Sequence, residues 1–159
     1  MATQEIFEHE PVSHAVAHYL VTVSELLEEY GYARVSDVAR RIGITRGSAS
    51  ITLKGLRQKG LVTEDGRRFL GLSDSGKQVA ESVLAKRRIM KDLMVRVLGV
   101  DPKQAGKDTC EIEHLLSSET AERARLLLEF VDSGSKASRD FQRNFARFIA
   151  KRDRGSAHG

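Results

Sequence analysis

From His14 to Tyr30, apolar residues fall at positions 16, 20, 23, 27 and 30. That three-to-four spacing predicts a helix with one buried face. Ser13 stands where a cap is needed and Gly31 where the helix should stop. Beside the apolar stripe runs a second one, His14, His18, Val21 and Glu25. Ser36 is placed to cap a short helix through Ile42, and "GIT" makes a tight turn. Thr45 then caps a helix to about Lys59, with Ala49, Leu53 and Leu56 facing inward and Gly60 as its stop. Asp65-Gly66 between two β-prone runs predicts a hairpin. Ser73 caps a long helix from Asp74 to about Leu98, with Val79, Val83, Met90, Met94 and Val97 on one stripe. Asp101-Pro102 opens the next helix. Ser118 opens another through Val131, with Ala121, Ala124, Leu127, Leu128 and Val131 inward. After the loop "DSGS", Ser135 to Arg152 reads as a basic amphipathic helix. Phe141, Phe145, Phe148 and Ile149 form its apolar stripe, with Lys/Arg at 136, 139, 143, 147, 151, 152 and 154 around it.

Composition narrows the class. The chain has 159 residues, 40% of them hydrophobic and 30% charged, with two prolines, which suits a mostly helical globular protein. A single cysteine excludes an internal disulfide and fits a reducing compartment. No apolar run approaches the roughly 18 residues of a membrane helix, and "MATQEIFEHEPVS" is no signal peptide. The expectation is a cytoplasmic protein with no membrane partner.

The net charge of +4 matters less than its distribution. Between Gly31 and Arg68 nine Lys/Arg face three Asp/Glu, an excess of six that exceeds that of the whole chain. Two short helices around a tight turn, followed by a basic hairpin, predict a winged helix-turn-helix. Its second helix would enter the major groove of double-stranded DNA and its wing would follow the backbone. With Ala49, Leu53 and Leu56 inward, the opposite face offers Arg46, Gly47, Ser48, Ser50, Ile51 and Lys54. Ser48 and Ser50 suit bases or phosphates, Ile51 a thymine methyl, and Lys54 a phosphate. Arg67 and Arg68 on the hairpin can reach phosphates. The same charge could instead be a solvated face of a winged helix used for protein contacts.

The stretch "TCEIEHLLS" places Cys110, Glu113 and His114 at i, i+3 and i+4, on one face if the segment is helical. Thiolate, carboxylate and imidazole all ligate transition metals. The local pattern alone equally allows a buried cysteine beside a solvated edge.

Several segments, in order and spacing, decide the matter: "GYARVSDVARRIGITRGSASITLKGLRQKGLV", "LSDSGKQVAESVLAKRR", "VLGVDP" and "CEIEHLLS". From about His14 to Val131 the chain resembles the diphtheria-toxin-repressor and manganese-transport-regulator family of metal-dependent repressors. The resemblance implies a mostly α protein with a winged helix-turn-helix domain, an all-helical dimerisation domain and no SH3-like third domain. It also implies a homodimer on a palindromic operator, activated by a metal that joins the first helix to the cluster. Residue by residue, the metal ligands it implies are His18, Cys110, Glu113 and His114. Histidine at position 18 departs from the Met or Asp of better-known members. The family's second site does not carry over: its ligands fall on Arg87, Lys91 and Gly106, and a manganese-type glutamate falls on Val21. We expect the Arg87 guanidinium to replace the missing second cation, the alternative being that it reaches to solvent.

The expected domain boundaries are a flexible arm over 1–13, the winged helix over 14–73, the metal-binding and dimerisation region over 74–132, and the basic helix and tail over 133–159. That last helix is expected to pack on the dimer partner, with DNA or membrane-surface contact as the alternative. Fe(II) or Mn(II) is the expected activator of a repressor of metal-uptake genes. Zn(II), Co(II) and Ni(II) would also bind such ligands. A metal-independent winged-helix regulator is the second reading and a metalloenzyme a remote third. Against an enzyme, three or four protein ligands leave little room for substrate, and no Ser/His/Asp or paired-carboxylate constellation accompanies them.

Overall fold

A computed structural model describes residues 13–156. Residues 1–12 of the expected arm and the side chain of Arg154 lie outside the described residues. The described residues form seven α-helices, a two-stranded sheet and one π-helical turn. They fall into two compact units: the chain through Arg87 joined by Glu111–Leu116, and Arg88–Cys110 joined by the chain from Ser117 onward.

The first unit begins with α1 (His14–Tyr30), capped by Ser13, whose hydroxyl accepts the Val16 N–H, and closed by Gly31 at φ 75°. Helix α2 (Val35–Ile42) starts one residue before the cap expected at Ser36: Arg34 holds the cap position without a side-chain bond. Its carbonyl instead accepts the N–H groups of Asp37 and Val38. Helix α3 (Arg46–Gln58) is capped by Thr45 through the Ser48 N–H. Leu20, Val23, Val38, Ala49 and Leu53 are each at most 1% exposed and share one core with Leu56, Val62, Leu70 and Val79. Burial of these aliphatics, at about 25 cal/mol per Å² of apolar area, fixes α3 on α1 and α2.

Strands β1 (Val62–Glu64) and β2 (Leu70–Leu72) pair antiparallel, with Val62 opposite Leu72 and Glu64 opposite Leu70. The hairpin forms as expected, but Asp65-Gly66 is not a two-residue turn. The loop runs through Phe69, because the Asp65 carboxylate accepts the N–H of both Arg67 and Phe69 at 2.9 and 2.8 Å. Arg68 takes the left-handed conformation at φ 63°, which costs a non-glycine residue about 1–2 kcal/mol.

Helix α4 (Asp74–Asp92) starts against the root of this wing. Ser73 caps it by accepting the Gly76 N–H, and the Ser73 hydroxyl donates to the carbonyls of Gly60 and Leu61. Gly76 is required there, since a Cβ would come within 2.0 Å of the Leu61 oxygen. The helix expected to reach Leu98 is α-helical only to Asp92. Leu93–Val97 is a π-helical turn, closed by the Leu98 N–H on the Leu93 carbonyl at 3.1 Å.

In the second unit the Asp101 carboxylate caps α5 (Pro102–Ile112) by accepting two backbone N–H groups. Ser117 caps α6 (Ser118–Asp132) and Ser135 caps α7 (Lys136–Ser156). The buried Ser138 hydroxyl donates to the Val131 carbonyl at 2.7 Å, which also accepts from the Gln142 amide, tying α7 to α6. Phe141 meets Phe130 edge-on and stacks on Phe145. Arg96 pairs with Asp132. Of the expected α7 stripe, Phe148 is 58% exposed.

Candidate nucleic-acid interface and metal centre

The outer face of α3 carries the side chains expected to read DNA. Arg46, Ser48, Ser50 and Lys54 are exposed, and Ile51 is 76% exposed although it is a large aliphatic. Ser48 is partly committed, since its hydroxyl bonds that of Thr45 at 2.9 Å. Between α3 and the wing lies a groove lined by Arg34, Arg46, Ser50, Arg57, Arg67 and Arg68 among others. Arg57 is neutralised there by Glu64. Among the described residues, Arg46, Arg67 and Arg68 have no ion-pair partner. Arg34, absent from the sequence-derived set, lies over the Phe69 ring at 4.8 Å and near the Tyr32 ring at 5.8 Å. The basic character of position 34 was visible in the sequence; its pairing with an aromatic on the wing needed the fold. An arginine held over a ring is a preorganised cation.

The expected metal ligands are arranged differently from the sequence expectation. Helix α5 ends at Ile112, so Glu113 and His114 lie in the turn beyond it and not on one helical face with Cys110. The break has a local cause. The N–H groups of Leu115 and Leu116 both turn back onto the Ile112 carbonyl, and Ser117, the next residue, begins a new cap. Lys86 pins the turn by donating to the Leu116 carbonyl at 2.8 Å, and burial lowers its pKa.

Glu113 is 4% exposed and bound by Arg87. The guanidinium donates through Nε to one carboxylate oxygen and through Nη2 to the other at 2.8 Å. Its Nη1 donates to Glu25 at 2.9 Å. Arg87 is therefore held by two carboxylates and does not simply reach to solvent. His114 turns the other way: its Nδ1 lies 3.0 Å from Nδ1 of His14, with ring centroids 4.0 Å apart. His18 stacks beside His14 at 5.7 Å. Burial, and then the proximity of His14, lower the His114 pKa, with Glu113 opposing. Cys110 is free and partly buried.

Among the described residues no three His, Cys, Asp or Glu side chains converge to metal-ligating distance. The donor chemistry fits a transition metal in part. Two imidazole nitrogens about 2.1 Å from one tetrahedral ion would lie about 3.4 Å apart, so the His14–His114 pair at 3.0 Å is somewhat closer than that spacing. The carboxylate of Glu113 is already matched to a cation. His14 was missed as a ligand candidate, and the signal for it was the four-residue spacing to His18 on the second stripe of α1.

A helix-turn-helix with a basic wing, joined to further helices, defines a winged-helix DNA-binding regulator. Residues 12–70 match the family described as "Iron dependent repressor, N-terminal DNA binding domain", and residues 73–140 match "Iron dependent repressor, metal binding and dimerisation domain". The chain belongs to this family of metal-dependent transcriptional repressors, which are regulators and not enzymes. It is 32% identical over 111 residues to the transcriptional regulator MntR of Escherichia coli O6:H1, covering 70% of this chain and 71% of that one. To the HTH-type transcriptional regulator MntR of Bacillus subtilis it is 26% identical over 124 residues, covering 78% of this chain and 87% of that one. The crystal structure of T. acidophilum IdeR superposes with a TM-score of 0.62 at 26% identity, over 68% of this chain. Only 51% of the IdeR chain is covered, so this protein spans about half of that relative's length. No helix among the described residues is long and apolar enough to cross a membrane.

Proposed function

We propose that the protein is a metal-activated repressor that binds a palindromic operator as a homodimer and governs metal-uptake genes. One observation carries this reading: a single compact unit holds both the basic α3–wing groove and, on α1, histidines facing the Glu113–His114 turn. Helix α1 contributes Leu20 and Val23 to the core that supports α3. Its position is therefore sensed at the DNA face.

The activating ion in this reading is divalent, Fe(II) or Mn(II), with Zn(II), Co(II) or Ni(II) able to replace it in vitro. His18, Cys110, Glu113 and His114 are the proposed ligands by resemblance. When bound, the ion supplies a positive charge that can join first-helix donors to the cluster. On the protein's side, His114 presents a ring nitrogen toward α1, and Arg87 holds Glu113 and Glu25 by charge-assisted bonds. Arg87 is proposed to occupy the place of a second cation, leaving one metal per subunit. On DNA, Arg46, Lys54, Arg67 and Arg68 hold phosphates, while Ser48, Ser50 and Ile51 face base edges. A metal-independent regulator is the second reading, favoured by the Arg87 guanidinium, which already neutralises Glu113.

The test is anaerobic binding to a duplex selected from a random library by the protein itself, with Fe(II), Mn(II) or Co(II) and again in chelator. Metal should tighten binding by the coupling factor that linkage imposes, typically worth about 1–3 kcal/mol. Equal affinity in chelator replaces the metal-activated reading with the metal-independent one.

A further inference from the structure

We propose that His14 is itself a metal ligand, making the centre nitrogen-rich and biasing it toward Fe(II)-type ions against Mn(II). The inference rests on the metal-activated reading above and extends it to a residue that the resemblance does not supply. Three observations lead there. The Nδ1 atoms of His14 and His114 face each other at 3.0 Å. Both are lone-pair positions in the metal-ligating form of imidazole, so an unbridged contact at this distance needs a proton on one of them. His18, four residues along α1, stacks beside His14 with ring centroids 5.7 Å apart. Lastly, Arg87 engages both oxygens of Glu113.

These facts together change the donor set. A site rich in carboxylate suits a hard ion such as Mn(II), whereas imidazole suits Fe, Co, Ni and Zn. With Glu113 shared with a guanidinium, its weight as an oxygen donor falls. With His14 added, the weight of nitrogen rises. His14 sits on the first turn of α1 and is exposed, so exchanging it leaves the core intact.

The experiment is anaerobic calorimetric titration of wild type, His14→Ala and His14→Asp with Co(II), an air-tolerant stand-in for Fe(II), and with Mn(II). The visible Co(II) spectrum is recorded alongside, and binding to the selected duplex is measured with Co(II) and in chelator. Wild type should hold Co(II) tighter than Mn(II). His14→Ala should lose roughly tenfold or more in Co(II) affinity, since even outer partners of metal ligands are worth about 10–100-fold. Its Co(II) bands should shift as a nitrogen donor is lost. His14→Asp should recover Mn(II) at the expense of Co(II). Unchanged Co(II) affinity and spectrum in His14→Ala would overturn the role of His14 while leaving metal activation standing, provided wild-type DNA binding still needs Co(II). Wild type that takes up neither ion overturns both.

Discussion

Arg87 is held by two acidic side chains, one of them almost wholly buried. Arg87→Met would strand the Glu113 carboxylate, and removing one partner of a buried pair costs about 3 kcal/mol or more. Chemical denaturation should show that loss with no change in metal stoichiometry. Arg87→His, in contrast, should raise the stoichiometry to two per subunit in a calorimetric titration, because it returns an imidazole between Glu25 and Glu113. The histidine pair gives a pH prediction of definite sign. The pKa of His114 is lowered in the folded protein, so the unfolded chain takes up this proton first as pH falls. Metal-free protein should therefore lose stability as pH drops below about 6.5, the ordinary histidine value. In His14→Ala an NMR titration should find the His114 pKa moved back upward, since its second-largest cause is gone. These contacts were only half legible in the chain. The second stripe of α1 announced that His14, His18 and Glu25 share a side, and the +1 charge at position 87 announced a need for partners. Which acid would answer Arg87 depended on residues 26 and 62 positions away.

At the scale of elements, α3 and the wing are proposed to divide the labour of recognition. Ile51 is held out in solvent while Leu53, two residues on, is 1% exposed. Ile51→Ala should thus change stability by less than about 0.5 kcal/mol, and Leu53→Ala should cost about 2–5 kcal/mol. In binding assays against variant duplexes, Ile51→Ala and Ser50→Ala should alter base preference, whereas Arg68→Ala should weaken all sequences alike. Helices with strong caps were legible almost to the residue, as α1, α3 and α6 show, because Ser13, Thr45 and Ser117 satisfy orphan N–H groups locally. Departures came where the decisive bond was nonlocal or structurally rare. The π-helical turn after Asp92 has no caplike residue to announce it. The turn that releases Glu113 and His114 from α5 depends on backbone bonds to Ile112 and on Lys86 reaching from α4. The wing loop is set by one aspartate bonding two residues downstream of the glycine that signalled it.

For the whole molecule, the basic excess between Gly31 and Arg68 predicts steep salt dependence. Each phosphate neutralised lowers the logarithmic salt slope by about 0.9. Arg68→Ala should make the slope shallower by about one unit in a fluorescence-anisotropy series, and a salt-indifferent wild type would exclude the DNA reading. Helix α4 gives the junction of Gly76 and Leu61 a mechanical meaning. There is no room there for even a methyl group, and Ser73 stitches the same junction with bonds to Gly60 and Leu61. The wing's root and the first turn of α4 thus behave as one welded joint. Any torque on α4 from its far end, where Arg87 grips Glu25 and Glu113, is delivered to the wing without slack. Gly76→Ala should loosen that joint, and faster amide exchange at Val62 and Leu72 would register the play it introduces.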